Sequence, residues 1–246
     1  LISRRAGQDR LNEIGPLFMQ SMYLSLIVAA AGILITFSIA PIILRSSVDA
    51  ELYNQSLSFL RIRIWGLPFL YLYQMRNALL VGTNQSRLLI WGTLAETLSN
   101  IFLDYVLIFG KWGFPNLGFN GAAYASVMAE AIGMLAVFLI IQVNGLNKKF
   151  ALFSDIRIKW KEMGLLFSQS SPLIMQYAIS ITSWEFFFIL ISHHGRLALD
   201  ISQFMRLIFG FFGIFIWSFA ATTTTMVSNI IGQDKRDLVI PLIKKI

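Results

Sequence analysis

The residues of this chain best suited to chemistry are ionisable side chains that stand inside long apolar stretches. Glu96, Asn100 and Asp104 follow one another at intervals of four residues, which places them on one face of a helix. A charged side chain is costly in lipid, so each is expected to face the protein interior or a wet cavity. A carboxylate there can bind an organic cation, or take up and release a proton near neutral pH. Asp104 is the leading candidate, and a structural carboxylate bonded to a neighbouring helix is the alternative.

Two further carboxylates stand in other apolar stretches. Glu130 is predicted near the middle of its stretch, where it could belong to a proton path or to a contact between helices. Glu185 is predicted near the outer end of a later stretch, at a depth similar to that of Asp104. It could bind a cation in the second half of the chain, or it could form an ion pair with Arg206, which stands about as deep in the following stretch.

Other kinds of chemistry find no support in the sequence. It has no cysteine, and it contains no zinc-ligand spacing, no catalytic triad and no glycine-rich phosphate loop. We therefore predict neither an enzyme nor a bound cofactor.

The elements that must position these residues are six long apolar stretches. Hydrophobic residues make up 56% of the 246 residues and charged residues only 13%, against about 25% charged in a soluble domain. Each stretch reaches or exceeds the roughly 20 residues that cross a bilayer as a helix. The predicted spans are about 17–44, 59–81, 88–109, 121–141, 164–192 and 199–231. Local kinks are expected at Pro41, Pro68 and Pro172.

The positive charges predict the orientation of these spans. Six crossings place both chain ends on one side, and that side carries 13 of the 20 lysine and arginine residues. Five lie on the other side, Arg61 and Arg63 among them. The positive-inside rule makes the richer side cytoplasmic, which predicts a multi-pass protein of the cell (inner or plasma) membrane with both ends cytoplasmic. The net charge of +7 thus reflects topology, and nucleic acid is not an expected partner.

A short motif occurs twice in the chain. Gly-Gln-Asp-Arg at 7–10 returns 225 residues later as Gly-Gln-Asp-Lys at 232–235, and Pro-Leu at 16–17 returns at 241–242. Six spans, an even number, separate the copies, so both copies have the same orientation in the membrane. This predicts a parent transporter of about 450 residues and twelve helices, built from two parallel six-helix repeats.

Within that parent the chain is predicted to be the middle part. Residues 1–145 would form the last four helices of the N-terminal six-helix lobe, and residues 146–162 a cytoplasmic linker between the lobes. Residues 163–246 would form the first two helices of the C-terminal lobe. The fold class is accordingly an all-α membrane protein with six transmembrane helices.

The third and fourth predicted spans resemble a known transporter family. Asn-Ile-Phe-Leu-Asp at 100–104, Leu-Ile-Phe-Gly at 107–110 and Gly-Ala-Ala-Tyr-Ala-Ser at 121–126 are similar to the signature of multidrug and toxin extrusion (MATE) transporters, in the DinF-like and NorM-like branches. Gly-Leu-Pro at 66–68 and Gly-Gln at 232–233 fit the same pattern. The resemblance covers essentially the whole chain, as the third to eighth helices of a twelve-helix family.

The resemblance implies an antiporter that exports cationic, amphipathic compounds in exchange for protons or sodium ions. It also implies that Asn100, Asp104 and Ser126 line the cavity of the first half. The NorM-like branch has a sodium-binding glutamate in the helix that corresponds to the one carrying Glu185, at a position more than one turn from Glu185. By this resemblance, a sodium ion is expected near Glu185.

Two other classes of function remain open. A flippase of lipid-linked oligosaccharides would need a cavity rich in arginine and lysine, whereas these spans carry carboxylates and only two arginines, Arg76 and Arg206. A membrane scaffold that transports nothing would need no acidic groups at matched depth in both halves. We therefore expect a monomeric transporter of small cationic organic compounds in the lipid bilayer.

Overall fold

The computed structural model describes residues 1–47 and 50–244, and every regular element in these ranges is a helix. The predicted all-α fold class is thereby confirmed. The helices are α1 (Ile2–Gly7), α2 (Ile14–Ser47), α3 (Ala50–Arg63), α4 (Leu67–Gly82), α5 (Leu89–Phe109), α6 (Phe119–Val143), α7 (Leu146–Lys149), α8 (Trp160–Ser192), α9 (Arg196–Gly232) and α10 (Val239–Ile243). Short 3₁₀ turns occupy Leu11–Glu13, Ile64–Gly66, Ser86–Leu88 and Arg236–Leu238.

The chain divides into two compact units. The first comprises Leu1–Ile158, and the second begins at Lys159. This boundary falls inside the linker predicted for 146–162, while residues 245–246 of the predicted C-terminal segment lie outside the described residues. The assignment of the two units to the two lobes of a twelve-helix parent stays a prediction.

Among the described residues, four helical segments are long and apolar enough to cross a membrane. They are Leu11–Arg45, Phe119–Val143, Trp160–Ser192 and Arg196–Gly232. These correspond to the first, fourth, fifth and sixth predicted spans. The third predicted span is α5, where Glu96, Asn100 and Asp104 lower the mean hydropathy of a helix of 21 residues. The count of six spans stays a prediction, with α5 and the α3–α4 segment as the remaining two.

The second predicted span is broken in the structure. α3 ends at Arg63, a 3₁₀ turn covers Ile64–Gly66, and α4 follows with Pro68 in its first turn. Proline lacks a backbone N–H, so it is tolerated in the first turn of a helix but not in its interior. The kink predicted at Pro68 is thus a complete break, whereas Pro41 and Pro172 lie inside helices that continue through them.

The start of this segment corrects a prediction. α3 begins at Ala50, well before the predicted start at 59, and Arg61 and Arg63 lie in its last turn. The charge of an arginine favours a loop over a span unless a partner on another helix neutralises it. Such a partner exists for Arg63 and is described below.

The core of the first unit lies at the end that the charges predict to be cytoplasmic. Side chains of α2, α4, α6 and α7 and of the segment after α7 pack together there. The buried members are Ile14, Phe18, Tyr73, Leu79, Leu80, Val137, Ile141, Leu146, Phe150 and Leu152. Gly15 is required beside them, because a Cβ atom at this position would collide with the backbone of Phe150 and Ala151.

α5 and α6 approach each other closely through glycine. A Cβ atom on Gly121 would lie 2.7 Å from the backbone carbonyl of Leu107, and one on Gly133 would lie 2.9 Å from Cβ of Glu96. Small residues allow helices to approach in this way where water provides no hydrophobic force between them. The two approaches show that α5 and α6 are antiparallel, and they fix the register of the pair.

The second unit is built on α8 and α9, which are joined by the short connection 193–195. Most of their large apolar side chains are exposed, and Phe188 is a buried exception near the end of α8. Such a surface suits lipid or another apolar partner rather than water.

Gly121→Ala is expected to destabilise the protein by about 1–3 kcal/mol, because the added Cβ atom forces α5 and α6 apart. A lower melting temperature of the purified protein in detergent would measure this loss. Gly164→Ala is the matched control, since it lies in α8 with nothing within 4 Å of the added atom, and alanine favours a helix over glycine. Equal melting temperatures for the two variants would contradict a tight α5–α6 contact.

Candidate functional site

Asp104 presents a buried oxygen atom that has no partner. Its Oδ1 atom is buried and accepts no hydrogen bond from any described residue, although the side chain as a whole is only partly buried. A buried acceptor without a partner is uncommon, because leaving it unpaired is costly. An oxygen atom of this kind is suited to receiving a cation or a proton. Asn100, one helical turn earlier, is also partly buried.

Glu130 is buried on α6, and Arg63 holds it from the end of α3. Arg63 donates from Nη2 to Oε1 at 2.6 Å and from Nη1 to Oε2 at 3.1 Å. Arginine makes its strongest and most directional contacts with carboxylates in this bidentate arrangement. Two roles were open to Glu130 from the sequence, and the structure supplies the contact between helices. Its part in a proton path stays a hypothesis.

Among the described residues, three polar contacts hold the α3–α4 segment along α6, and this pair is one of them. Towards the start of α6, Asn120 donates from Nδ2 to Oγ of Ser58 at 2.9 Å. Further along, the buried Arg76 donates from Nη1 to the carbonyl oxygen of Met134 at 2.9 Å and lies over the ring of Phe138. The contacts occur in the same order along both segments, so the α3–α4 segment and α6 run in parallel.

Glu96 has a different environment from Glu130. It packs against Gly133 of α6 and lies beside the buried Tyr73 of α4. The Tyr73 hydroxyl is in turn 3.3 Å from Oγ1 of Thr93. In the part of the chain that the structure describes, no lysine or arginine forms an ion pair with Glu96.

The two close approaches of α5 and α6 bracket the predicted site residues of the first unit. Asn100 and Asp104 lie between these approaches on α5, and Ser126 and Glu130 lie between them on α6. The four residues therefore share one stretch of the helix pair. The Glu130 carboxylate is directed to Arg63 of α3.

Arg206 and Glu185 do not form the ion pair that was one alternative for the second unit. Cζ of Arg206 lies 5.0 Å from the centre of the Phe188 ring, and residues 1–47 and 50–244 show no ion pair between Arg206 and Glu185. An aromatic face can stabilise a guanidinium in place of a carboxylate. Glu185 is exposed on α8, which leaves its carboxylate open.

The predicted sodium ion near Glu185 stays a prediction. Within the described ranges, no three histidine, cysteine, aspartate or glutamate side chains come together in a way that could hold a metal ion.

Arg63 was counted among the charges of the outer side, although the predicted span 59–81 includes it, and its pairing was not foreseen. A signal was present, because isoleucine flanks it on both sides and an apolar run follows, which indicates a charge inside a span. No local pattern in the sequence indicated which residue pairs with Arg63. Arg63 and Glu130 are 67 residues apart, and only the packing of α3 on α6 brings them together.

Comparisons with known proteins agree with this architecture. Residues 1–106 match the MatE family. The probable multidrug resistance protein NorM of Halalkalibacterium halodurans is 32% identical over 172 residues, which cover 68% of this chain and 37% of that protein. The probable multidrug resistance protein YoeA of Bacillus subtilis is 29% identical over 154 residues, which cover 62% of this chain and 32% of that protein. The chain thus spans about a third of the length of these relatives.

Two solved structures share the fold. One is the outward-facing conformation of a multidrug resistance MATE family transporter of the MOP superfamily, with a TM-score of 0.78 and 17% identity. The other is a MOP superfamily transporter from Pyrococcus furiosus, described as having a binding pocket of reverse polarity that suggests a different function, with a TM-score of 0.77 and 17% identity. They match 99% of this chain and 55% and 54% of their own chains. At these identities, the matches establish the fold alone.

Removing one partner of the Arg63–Glu130 pair is expected to cost more stability than removing both. Glu130→Met leaves an uncompensated guanidinium inside the first unit, and about 3 kcal/mol of the free energy of unfolding should be lost. The double variant Arg63→Met with Glu130→Met should lose much less, because two apolar side chains can pack where the pair lies. Denaturation followed by circular dichroism measures the free energy of unfolding of the two single variants, Arg63→Met and Glu130→Met, and of the double variant. A loss in the double variant equal to the sum of the two single losses would contradict an interaction between Arg63 and Glu130.

Proposed function

We propose that this chain, a NorM-like segment of the MATE family, forms part of a transporter that exports cationic, amphipathic drugs or toxins by antiport with protons or sodium ions. The relatives named as probable multidrug resistance proteins support multidrug efflux. The fold shared with a multidrug resistance MATE family transporter supports the same conclusion. The side chains of the first unit support a cationic substrate.

The buried oxygen atom of Asp104 is the observation that carries the proposal. It has no hydrogen-bond donor among the described residues, so a cation or a proton can satisfy it. Glu130 cannot compete for the same role while Arg63 neutralises it. Asn100 lies one turn away on the same helix face and can orient a substrate bound at Asp104.

The arginines that contact α6 also favour a cation over an anion. In the described part of the first unit, Arg63 is committed to Glu130 and Arg76 to the carbonyl oxygen of Met134. The Arg63 guanidinium is therefore not free to bind a phosphate group while Glu130 holds it, and one donor of Arg76 is already in use. This argues against the second candidate, a flippase for lipid-linked oligosaccharides, although the Pyrococcus transporter with reverse pocket polarity shares the fold.

The mechanism follows from competition for one carboxylate. An organic cation binds at Asp104 when the carboxylate is charged and open. On the outer side, a coupling ion neutralises the carboxylate, and the organic cation is released. Alternation between inward-open and outward-open states would move the two lobes around the site. The coupling ion can bias that equilibrium only by binding the two states with different affinity. Glu96 and Glu185 are the further groups that can carry the ion.

The surroundings of the transporter are part of the proposal. We expect a monomer that spans the cell membrane with the ends of this segment in the cytoplasm, without a cofactor and with no contact to nucleic acid. The basic residues at the core end of the first unit agree with that orientation.

Asp104→Asn is expected to abolish export of an organic cation, because asparagine removes the charge and keeps the shape. The measurement is the accumulation of ethidium in cells that express the protein from its complete gene, at equal expression. Asp9→Asn is the matched control, since Asp9 is exposed in a turn outside the predicted spans. Export by the Asp104→Asn variant at the rate of the control would overturn the role of Asp104.

The coupling ion is assigned in vesicles containing the purified protein. An imposed proton gradient or an imposed sodium gradient should drive ethidium uptake, and the gradient that does so identifies the ion. Uptake that follows neither gradient would contradict antiport with these ions.

A further inference from the structure

The core of the first unit gathers several short elements at one end of the bundle. Ile2 and Ala6 of α1 and Leu88 of the turn before α5 pack against it, as do residues of α7 itself. Ile2 also meets Gly82 at the end of α4. α1, the α4–α5 turn and α7 therefore lie at the same end as the first residues of α2 and the last residues of α6. Where α2 and α6 cross the bilayer, this end lies at the level of the lipid headgroups.

Basic side chains surround that end of the unit. The exposed ones on these elements and on the segment after α7 are Arg4, Arg10, Arg87, Lys148, Lys149 and Arg157. Glu13 pairs with Arg5 and Arg10. In the described part of the chain, no ion pair engages Arg87 or Lys148. We call this set of six residues the basic face.

The segment after α7 adds exposed apolar side chains to the basic face. Its backbone is held by α2, since Gln20 donates from Nε2 to the carbonyl oxygen of Arg157 at 2.8 Å and the Tyr23 hydroxyl donates to that of Ile156 at 2.8 Å. The side chains of Ile156 and Ile158 are nevertheless 63% and 51% exposed. The fold thus fixes two isoleucine side chains outside the core, on either side of an arginine.

We propose that the basic face binds anionic phospholipid headgroups, with Ile156 and Ile158 inserted among the upper parts of the acyl chains. Lysine and arginine near a membrane surface are attracted by anionic lipids, and apolar side chains beside them gain by leaving water at the boundary between headgroups and chains. The alternation of apolar and basic residues on a fixed backbone satisfies both requirements. This inference needs only that the chain spans a membrane, and it is independent of what the protein transports.

The test uses the absence of cysteine from this chain. Ile156→Cys provides a unique site within it for an environment-sensitive fluorophore, and the protein is expressed from its complete gene and placed in vesicles. Vesicles of phosphatidylcholine are compared with vesicles containing added phosphatidylglycerol. Phosphatidylglycerol should protect the fluorophore from quenching by iodide in solution.

Lysine-to-glutamine variants test which charges bind the anionic lipid. Lys148→Gln with Lys149→Gln should raise the amount of phosphatidylglycerol needed for half-protection about 30-fold, since each basic side chain near the surface contributes about fivefold. Lys111→Gln, at the opposite end of α5, should leave it unchanged. In the labelled protein that keeps Lys148, Lys149 and Lys111, high salt should remove the lipid-dependent protection. This measurement keeps the test valid if the double variant misfolds.

Two results would overturn the proposal. Equal quenching in both kinds of vesicle would show that anionic headgroups do not reach Ile156. Protection in detergent without phospholipid would show that protein rather than lipid covers it.

Discussion

The ion pair between Arg63 and Glu130 is the interaction on which the arrangement of the first unit depends. Lipid solvates an isolated charge poorly, so an arginine between packed helices needs a partner that offsets its charge. Here the carboxylate belongs to α6, and the arginine stands where α3 ends. The break in the helix and the pair are therefore linked. The 3₁₀ turn that follows Arg63 and the proline that begins α4 hold the guanidinium at the level of Glu130.

That pairing also distributes the chemical roles among the acidic residues. Glu130 has a bidentate partner, while a buried oxygen atom of Asp104 on the adjacent helix has no hydrogen-bond donor among the described residues. Since α5 and α6 are packed through glycine, the two carboxylates keep fixed levels along the pair. In the proposed mechanism this arrangement favours selective binding of a cation, because the attracting charge then lies at one position.

The sequence was informative wherever a rule of the bilayer acts on single segments. Helical structure and four of the six predicted spans follow from composition and length, and these predictions are confirmed. The close approaches at Gly121 and Gly133 follow from residue size. The break before Pro68 was foreseen only as a kink, because proline indicates where a helix is disturbed but not how far its backbone departs. The partner of Arg63 and the contact of Arg206 with Phe188 could not be foreseen. Both depend on which faces of separate helices meet, and a single sequence does not encode that in any local pattern.

In the 3₁₀ turn before α4, position 66 has little space for a side chain. A Cβ atom on Gly66 would strike both the Glu130 carboxylate and the Arg63 guanidinium. A larger residue at 66 would have to displace the ends of these two side chains, so substitutions at positions 63, 66 and 130 are expected to be coupled. The order in which these three positions are substituted then matters along an evolutionary path.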